Sequence, residues 1–207
     1  MKNIIFQGDS ITDANRHNTT HRMGCGYASI VSGILCSKYA GEYNCKNYGV
    51  SGDRIVDVYA RIKCDLWNHN PDVVSFYVGV NDVWHEYKRQ NGVDENRFEK
   101  VYDMVINETI ERFPNVKIML IAPFISAGSV LDDLGENFKK DVFDRAKLVQ
   151  KIADKHNLPC ITLQDKFDKA HEKYPERNYW TVDGVHPTPC GHQLIADAWL
   201  DAYNKIK

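Results

Sequence analysis

Little in this sequence points toward a membrane, a nucleic acid or a metal. Its longest apolar stretch, Ile118 to Ile125, is eight residues long and contains Pro123, whereas a membrane-spanning helix needs about 20 apolar residues. The 207 residues carry 26 basic and 28 acidic side chains, a formal net charge of −2, so no long-range attraction to nucleic acid or to an anionic lipid surface is implied. The six cysteines form no CxxC pair and no zinc-like spacing, and they read as reduced thiols rather than as a disulfide framework. No ligand cluster asks for a metal or an organic cofactor. The opening MKNIIFQGDS has three consecutive strongly apolar residues before Gln7, too few for a secretory leader, and the expected location is the cytoplasm. A small-molecule partner fits this balance.

What is present is a chain that is 43% hydrophobic, long enough to bury a sizeable core and expected to form one domain over residues 1–207. Lys2 to Gln7 reads as a covered strand, followed by a polar loop from Asp9 to Met23. Tyr27 to Tyr39 reads as a helix and Tyr43 to Tyr48 as a strand, and Ile55, Val58, Ile62 and Leu66 recur at helical spacing. Val73 to Val78 and Val116 to Ile121 are further buried strands, with Phe98, Val101, Val105, Thr109 and Phe113 marking a helix between them. A helix through Val142, Ala146, Val149 and Ala153, a strand at Pro159 to Leu163 and a last helix through Leu194, Ala198 and Ala202 complete the series. About five strands alternating with helices predict a mostly parallel sheet covered on both faces, because parallel strands require crossover connections. Such a sheet collects its ligands beyond the carboxyl ends of its strands.

Four segments at those ends carry chemistry. The first is QGDSITD, where Ser10 directly follows a strand; a lone serine there is as ordinary as a turn or cap residue. The second is NYGVSGD, whose glycines allow a tight turn that exposes peptide N–H groups, though a capped Gly-rich turn has the same look. The third is GVNDVW, where the Asn81 amide can face a developing negative charge or simply form a turn. The fourth, WTVDGVHP, sets Asp183 and His186 three residues apart, close enough for the carboxylate to orient the imidazole and for the imidazole to serve a nucleophile.

Taken together, GDS at Ser10, NxGxSG ending at Gly52, GxND at Asn81 and DxxH at Asp183 to His186 resemble the four blocks of the SGNH, or GDSL-type, hydrolase family over almost the whole chain. The resemblance implies a three-layer α/β/α sandwich of flavodoxin-like topology, nucleophile Ser10 with His186 and Asp183 as triad partners, and an oxyanion hole from the N–H groups of Ser10 and Gly52 plus the Asn81 amide. GDSITDANR, GVNDVW and DGVHPTPCGH are more narrowly similar to small serine acetylesterases of xylan and oligosaccharide utilisation. That likeness implies an acetylated sugar as substrate, and by analogy a homo-oligomer. Asp9, Arg16, Trp84 and Trp180 are the candidates for substrate binding, since aromatic faces pack on sugar rings and charged groups bond hydroxyls. Lysophospholipase and thioesterase activities are alternatives within the family. From another class, a metal-dependent phosphoesterase finds some support in the GDxxxD pattern at Gly52 to Asp57, but an early DxH and a late His cluster are missing.

Overall fold

The apolar opening segment forms strand β1 (Lys2–Gly8), which is paired on both sides: with β2 (Tyr43–Asn47), where Ile4 stands opposite Cys45, and with β3 (Val73–Tyr77), where Gln7 stands opposite Phe76. β4 (Lys117–Ile121) and a two-residue β5 (Cys160–Ile161) extend the sheet in the order β2-β1-β3-β4-β5, every pairing parallel. This computed structural model describes all residues from Met1 to Lys207. The order is that of a flavodoxin-like sheet: the chain leaves β1 for one edge and returns across it to β3, so a crevice opens beyond the carboxyl ends of these two strands.

Side chains alternate between two cores because successive Cβ atoms point to opposite faces of a strand. Ile4, Phe6, Tyr77, Met119 and Ile121 pack on one face against α2 (Tyr27–Lys38) and α8 (Pro189–Ile206), around buried Tyr27 and Trp199. Ile5, Val74, Phe76, Ile118 and Leu120 pack on the other against α3 (Ile55–Asp65), α5 (Glu95–Arg112) and the later part of α6 (Ser129–Lys155). Covering both faces explains why the inner strands read as mostly apolar runs without strict alternation.

Three short-range differences from the sequence reading bear on the site. The expected polar loop after β1 opens with a helical turn, α1 (Ser10–Asp13), nucleated by Asp9, whose Oδ1 accepts the Ile11 N–H at 3.0 Å, and adds a 3-10 turn at Arg16–Asn18. GVNDVW does not remain a loop but opens helix α4 (Val80–Arg89). A helix α7 (Gln164–Lys173) follows β5 with only Phe167 and Ala170 buried, too few apolar positions to declare itself in a pattern. α6 is interrupted at Gly135, whose φ is +77°. No helix is long and apolar enough to cross a membrane.

Candidate active site

Ser10 leaves the end of β1 as the first residue of α1, and its Oγ lies 2.9 Å from Nε2 of His186, 176 residues later in the chain. His186 stands on a tight excursion between α7 and α8, closed by an antiparallel bridge between Thr181 and Pro187 and by the Val182 N–H donating to the His186 carbonyl at 2.7 Å. Gly184 turns this excursion with a φ of +101°, a conformation that disfavours any side chain. The Ser126 N–H donates to the Gly184 carbonyl at 2.8 Å and the Val130 N–H to the Asp183 carbonyl at 3.0 Å, so the segment after β4 anchors the excursion.

Asp183 organises this turn from within. Its Oδ1 accepts the N–H groups of Val185 and His186 at 2.9 and 2.8 Å, and its Oδ2 lies 2.7 Å from Nδ1 of His186. Burial works to raise the Asp183 carboxyl, but these hydrogen bonds outweigh it and hold the group below the usual carboxylate range. The Asp183 hydrogen bond raises His186 above the ordinary imidazole value against the opposing effect of burial. An ionised carboxylate is acceptor-only, so it fixes the proton on Nδ1 and leaves the Nε2 lone pair facing the Ser10 hydroxyl.

The polar groups opposite are peptide N–H groups and one amide. Ser10 and Gly52 have N–H groups without an intramolecular acceptor, and Gly52 holds a φ of +88° with open space where a Cβ would stand. Asn81 donates one Nδ2 hydrogen to the Asp53 carbonyl at 3.2 Å, leaving its second free. Ser10, Gly52, Asn81, Trp84 and His186 line one cleft of about 300 Å³; an adjoining cleft of about 380 Å³ shares Ser10 and His186 and adds Asp13, Cys25 and His192. A larger concavity, about 1060 Å³, lies among the segment after β4, α6 and α7 and contains none of these residues. Size does not mark the site here; convergence does.

The substrate-binding expectations divide. Trp84 lines the cleft, with its ring centroid 5.8 Å from that of His186. Asp9, Arg16 and Trp180 do not. Asp9 is 1% exposed and directed inward as the cap of α1, where burial pushes its carboxyl up to about 7. Arg16 donates from Nε to the Gly49 carbonyl at 2.6 Å and braces the second block from behind. The Trp180 indole donates to the Tyr174 carbonyl at 3.0 Å and packs on Tyr179, outside both clefts.

Two residues that the sequence reading did not single out hold the site together. Asn47 donates from Nδ2 to the carbonyls of Thr12 and Met23 at 2.6 and 2.9 Å and accepts the Gly49 N–H at 2.9 Å, clamping α1 to the second block. Its place in NYGVSGD was a signal for it. Arg61 reaches Asp53 at 2.5 Å, Asp65 at 2.7 Å and the Tyr48 and Gly8 carbonyls at 2.8 and 3.3 Å; no local pattern marks it. Arg54 likewise engages Asp57, so both carboxylates of the GDxxxD pattern are committed to arginines.

The sequence pattern of the GDSL-like lipase/acylhydrolase family matches residues 6–194. An acetylxylan esterase of Geobacillus stearothermophilus is 30% identical over 207 residues, covering 95% of this chain and 91% of its own. Among solved structures, the acetyl xylan esterase AlAXEase superposes with a TM-score of 0.83 at 32% identity, covering 97% of this chain and 98% of its own. Axe2, an acetylxylan esterase from Geobacillus stearothermophilus, gives 0.85 at 28% identity, covering 97% and 93%. Its structures include serine, histidine and aspartate variants described as catalytic mutants. By the span of the match and the shared three-layer fold, this chain belongs to the GDSL-like lipase/acylhydrolase family.

Proposed function

We propose that this chain acts, as one domain over residues 1–207 and in the cytoplasm, as a serine esterase that removes small acyl groups, acetyl foremost, from carbohydrates such as xylo-oligosaccharides. The observation that carries the reading is the continuous contact from Ser10 Oγ to His186 Nε2 at 2.9 Å and from His186 Nδ1 to Asp183 Oδ2 at 2.7 Å. The likeness to acetylxylan esterases supports the acetyl substrate, and the catalytic variants of Axe2 are of the same three residue types.

In this mechanism His186 Nε2 takes the Ser10 proton as Oγ attacks the ester carbonyl, and Asp183 stabilises the imidazolium that forms. The carbonyl oxygen becomes an oxyanion that accepts hydrogen bonds from the Ser10 and Gly52 N–H groups and the free Asn81 hydrogen. Collapse of the intermediate breaks the ester C–O bond, and His186 returns its proton to the departing alcohol. Water then attacks the acyl-serine, giving a proton to the same nitrogen; the acyl C–Oγ bond breaks as His186 returns that proton to Ser10 Oγ, and acetate leaves.

The test is hydrolysis of para-nitrophenyl acetate beside the octanoate and phosphate analogues, with and without EDTA, by wild type, Ser10→Ala and Asn81→Ala. The expected result is fastest release from the acetate, abolished in Ser10→Ala and lowered about 10²–10³-fold in Asn81→Ala. A preference for octanoate would favour a lysophospholipase or thioesterase, and phosphate cleavage sensitive to EDTA a metal-dependent phosphoesterase. Acetate hydrolysis that survives Ser10→Ala would overturn the reading.

A further inference from the structure

The cleft beside Ser10 is uneven in charge. Helix α4, which delivers Asn81, also lines the cleft with Trp84, His85, Lys88 and Arg89, and no carboxylate side chain lines it. Asn81, His85 and Arg89 are spaced four residues apart, as are Trp84 and Lys88, so both sets project from one side of the helix. The adjoining cleft on the far side of Ser10 is lined instead by Asp13 and by His192, which burial and the nearby His186 charge push down to about 4 and keep neutral. A local excess of cations runs against the chain's net charge of −2.

The surrounding charges isolate one of these groups. Arg54 is compensated by Asp57, and Lys88 is ion-paired with Asp133 from α6. The Arg89 side chain makes no salt bridge and no hydrogen bond within the chain; the ion pairs formed by the neighbouring helices leave it out. His85 is lowered by burial, then by Arg54 and Arg89, and so offers a neutral ring to the cleft. A cation in the last turn also suits the carboxyl end of a helix, a role that does not require it to border the cleft that holds Ser10, Gly52 and Asn81.

We infer that Arg89, supported by Lys88 and His85, forms a subsite for a carboxylate on the substrate, so that the enzyme favours acetyl esters of acidic sugars or acyl groups that end in an acid. The inference rests on the serine esterase reading and narrows its substrate class. A guanidinium presents paired N–H donors that match a carboxylate, and Trp84 beside it offers an apolar face for the ring that carries the acid. Because the cations border an open cleft, the attraction is screened by salt.

Matched ester pairs read this directly. For an acid on the alcohol side, para-acetoxybenzoate is compared with its neutral methyl ester; for an acid on the acyl side, para-nitrophenyl glutarate is compared with para-nitrophenyl pentanoate. In each arm the ratio of kcat/KM for the charged to the neutral ester is measured in wild type, Arg89→Ala and Arg89→Lys, at low and high salt, and normalising each ratio to Arg89→Ala removes intrinsic reactivity differences. The expected result is a wild-type ratio about three- to tenfold above that of Arg89→Ala in at least one arm, retained in part by Arg89→Lys and collapsing in high salt; the arm in which it appears identifies the side of the ester that bears the acid. Equal ratios in wild type and Arg89→Ala in both arms would overturn the inference. Hydrolysis of the neutral esters that persists in Ser10→Ala would instead overturn the esterase reading beneath it.

Discussion

The carboxylate of Asp183 holds His186 twice: Oδ2 lies 2.7 Å from the ring Nδ1, and Oδ1 accepts the histidine's own peptide N–H at 2.8 Å. One side chain therefore sets both the path of the loop and the tautomer of the imidazole that faces Ser10. Asp183→Asn separates these duties, since its carbonyl oxygen can still accept the backbone N–H groups while its amide cannot stabilise an imidazolium. The expected outcome is a loss of about 10³–10⁴ in kcat with little change in unfolding temperature.

The pH profile of the same variant carries a sign. Asp183 raises His186 above the ordinary value of about 6.5, and His186 must be neutral to accept the serine proton. Activity in wild type therefore rises with pH through a limb above that value. In Asp183→Asn the limb moves to lower pH, and a limb that stays in place would show that Asp183 does not set the histidine's titration.

Gly52 and Gly49 stand three residues apart and should fail differently on substitution by alanine. At Gly52 a Cβ meets nothing within 4 Å, but φ is +88°, so the cost is backbone strain of about 1–2 kcal/mol. Relief of that strain would rotate the Gly52 N–H, and kcat should fall well beyond what the stability change explains. At Gly49 a Cβ would press on the backbone of Thr12 and Asp13, which α1 cannot yield without moving Ser10. Gly49→Ala should thus be the less stable protein. Urea midpoints and kcat for the two variants check the contrast, and equal midpoints would contradict it.

How much of this was legible in the sequence depended on where the determining partner lies in the chain. β1, β3 and β4 were legible because both faces of each are covered and the runs Ile4 to Phe6, Val73 to Val78 and Ile118 to Ile121 are apolar apart from the small, buried Ser75. Asp183 and His186 were legible because their relation is local and their spacing alone lets them meet. α4 was not, since buried Asn81 and Asp82 interrupt the apolar stripe made by Val80 and Val83. Arg16 and Asp9 sit near Ser10 in sequence and were expected at the substrate. Their directions are fixed by a carbonyl 33 residues away in one case and by the helical turn after Asp9 in the other. Trp180, three residues before Asp183, is turned away by its bond to Tyr174. Proximity in sequence to a catalytic candidate says little about where a side chain points when a distant partner decides it.

Asp82 gives the fold a pH dependence of unusual sign for a carboxylate. It is 1% exposed, and its Oδ1 and Oδ2 accept the Ile55 N–H at 3.0 and 3.3 Å, tying the start of α3 to α4. Burial pushes its carboxyl up to about 7, against the lowering effects of that N–H and of Arg145. In the unfolded chain the same group titrates near its ordinary value of about 3.9. Between these values the folded state holds a proton that the unfolded state has released, so stability falls as pH rises from about 4 to 7 and then levels off. Asp82→Asn keeps an oxygen for the Ile55 N–H and cannot ionise. Its absolute stability includes the cost of a buried amide donor, but that cost does not vary with pH, so the slope is the informative quantity. Chemical denaturation at pH 5, 6, 7 and 8 (values spanning the window of about 4 to 7 and its plateau) should show wild type losing stability across the series more steeply than Asp82→Asn. Parallel curves would mean that Asp82 is ionised throughout and that its contact with Ile55 outweighs its burial.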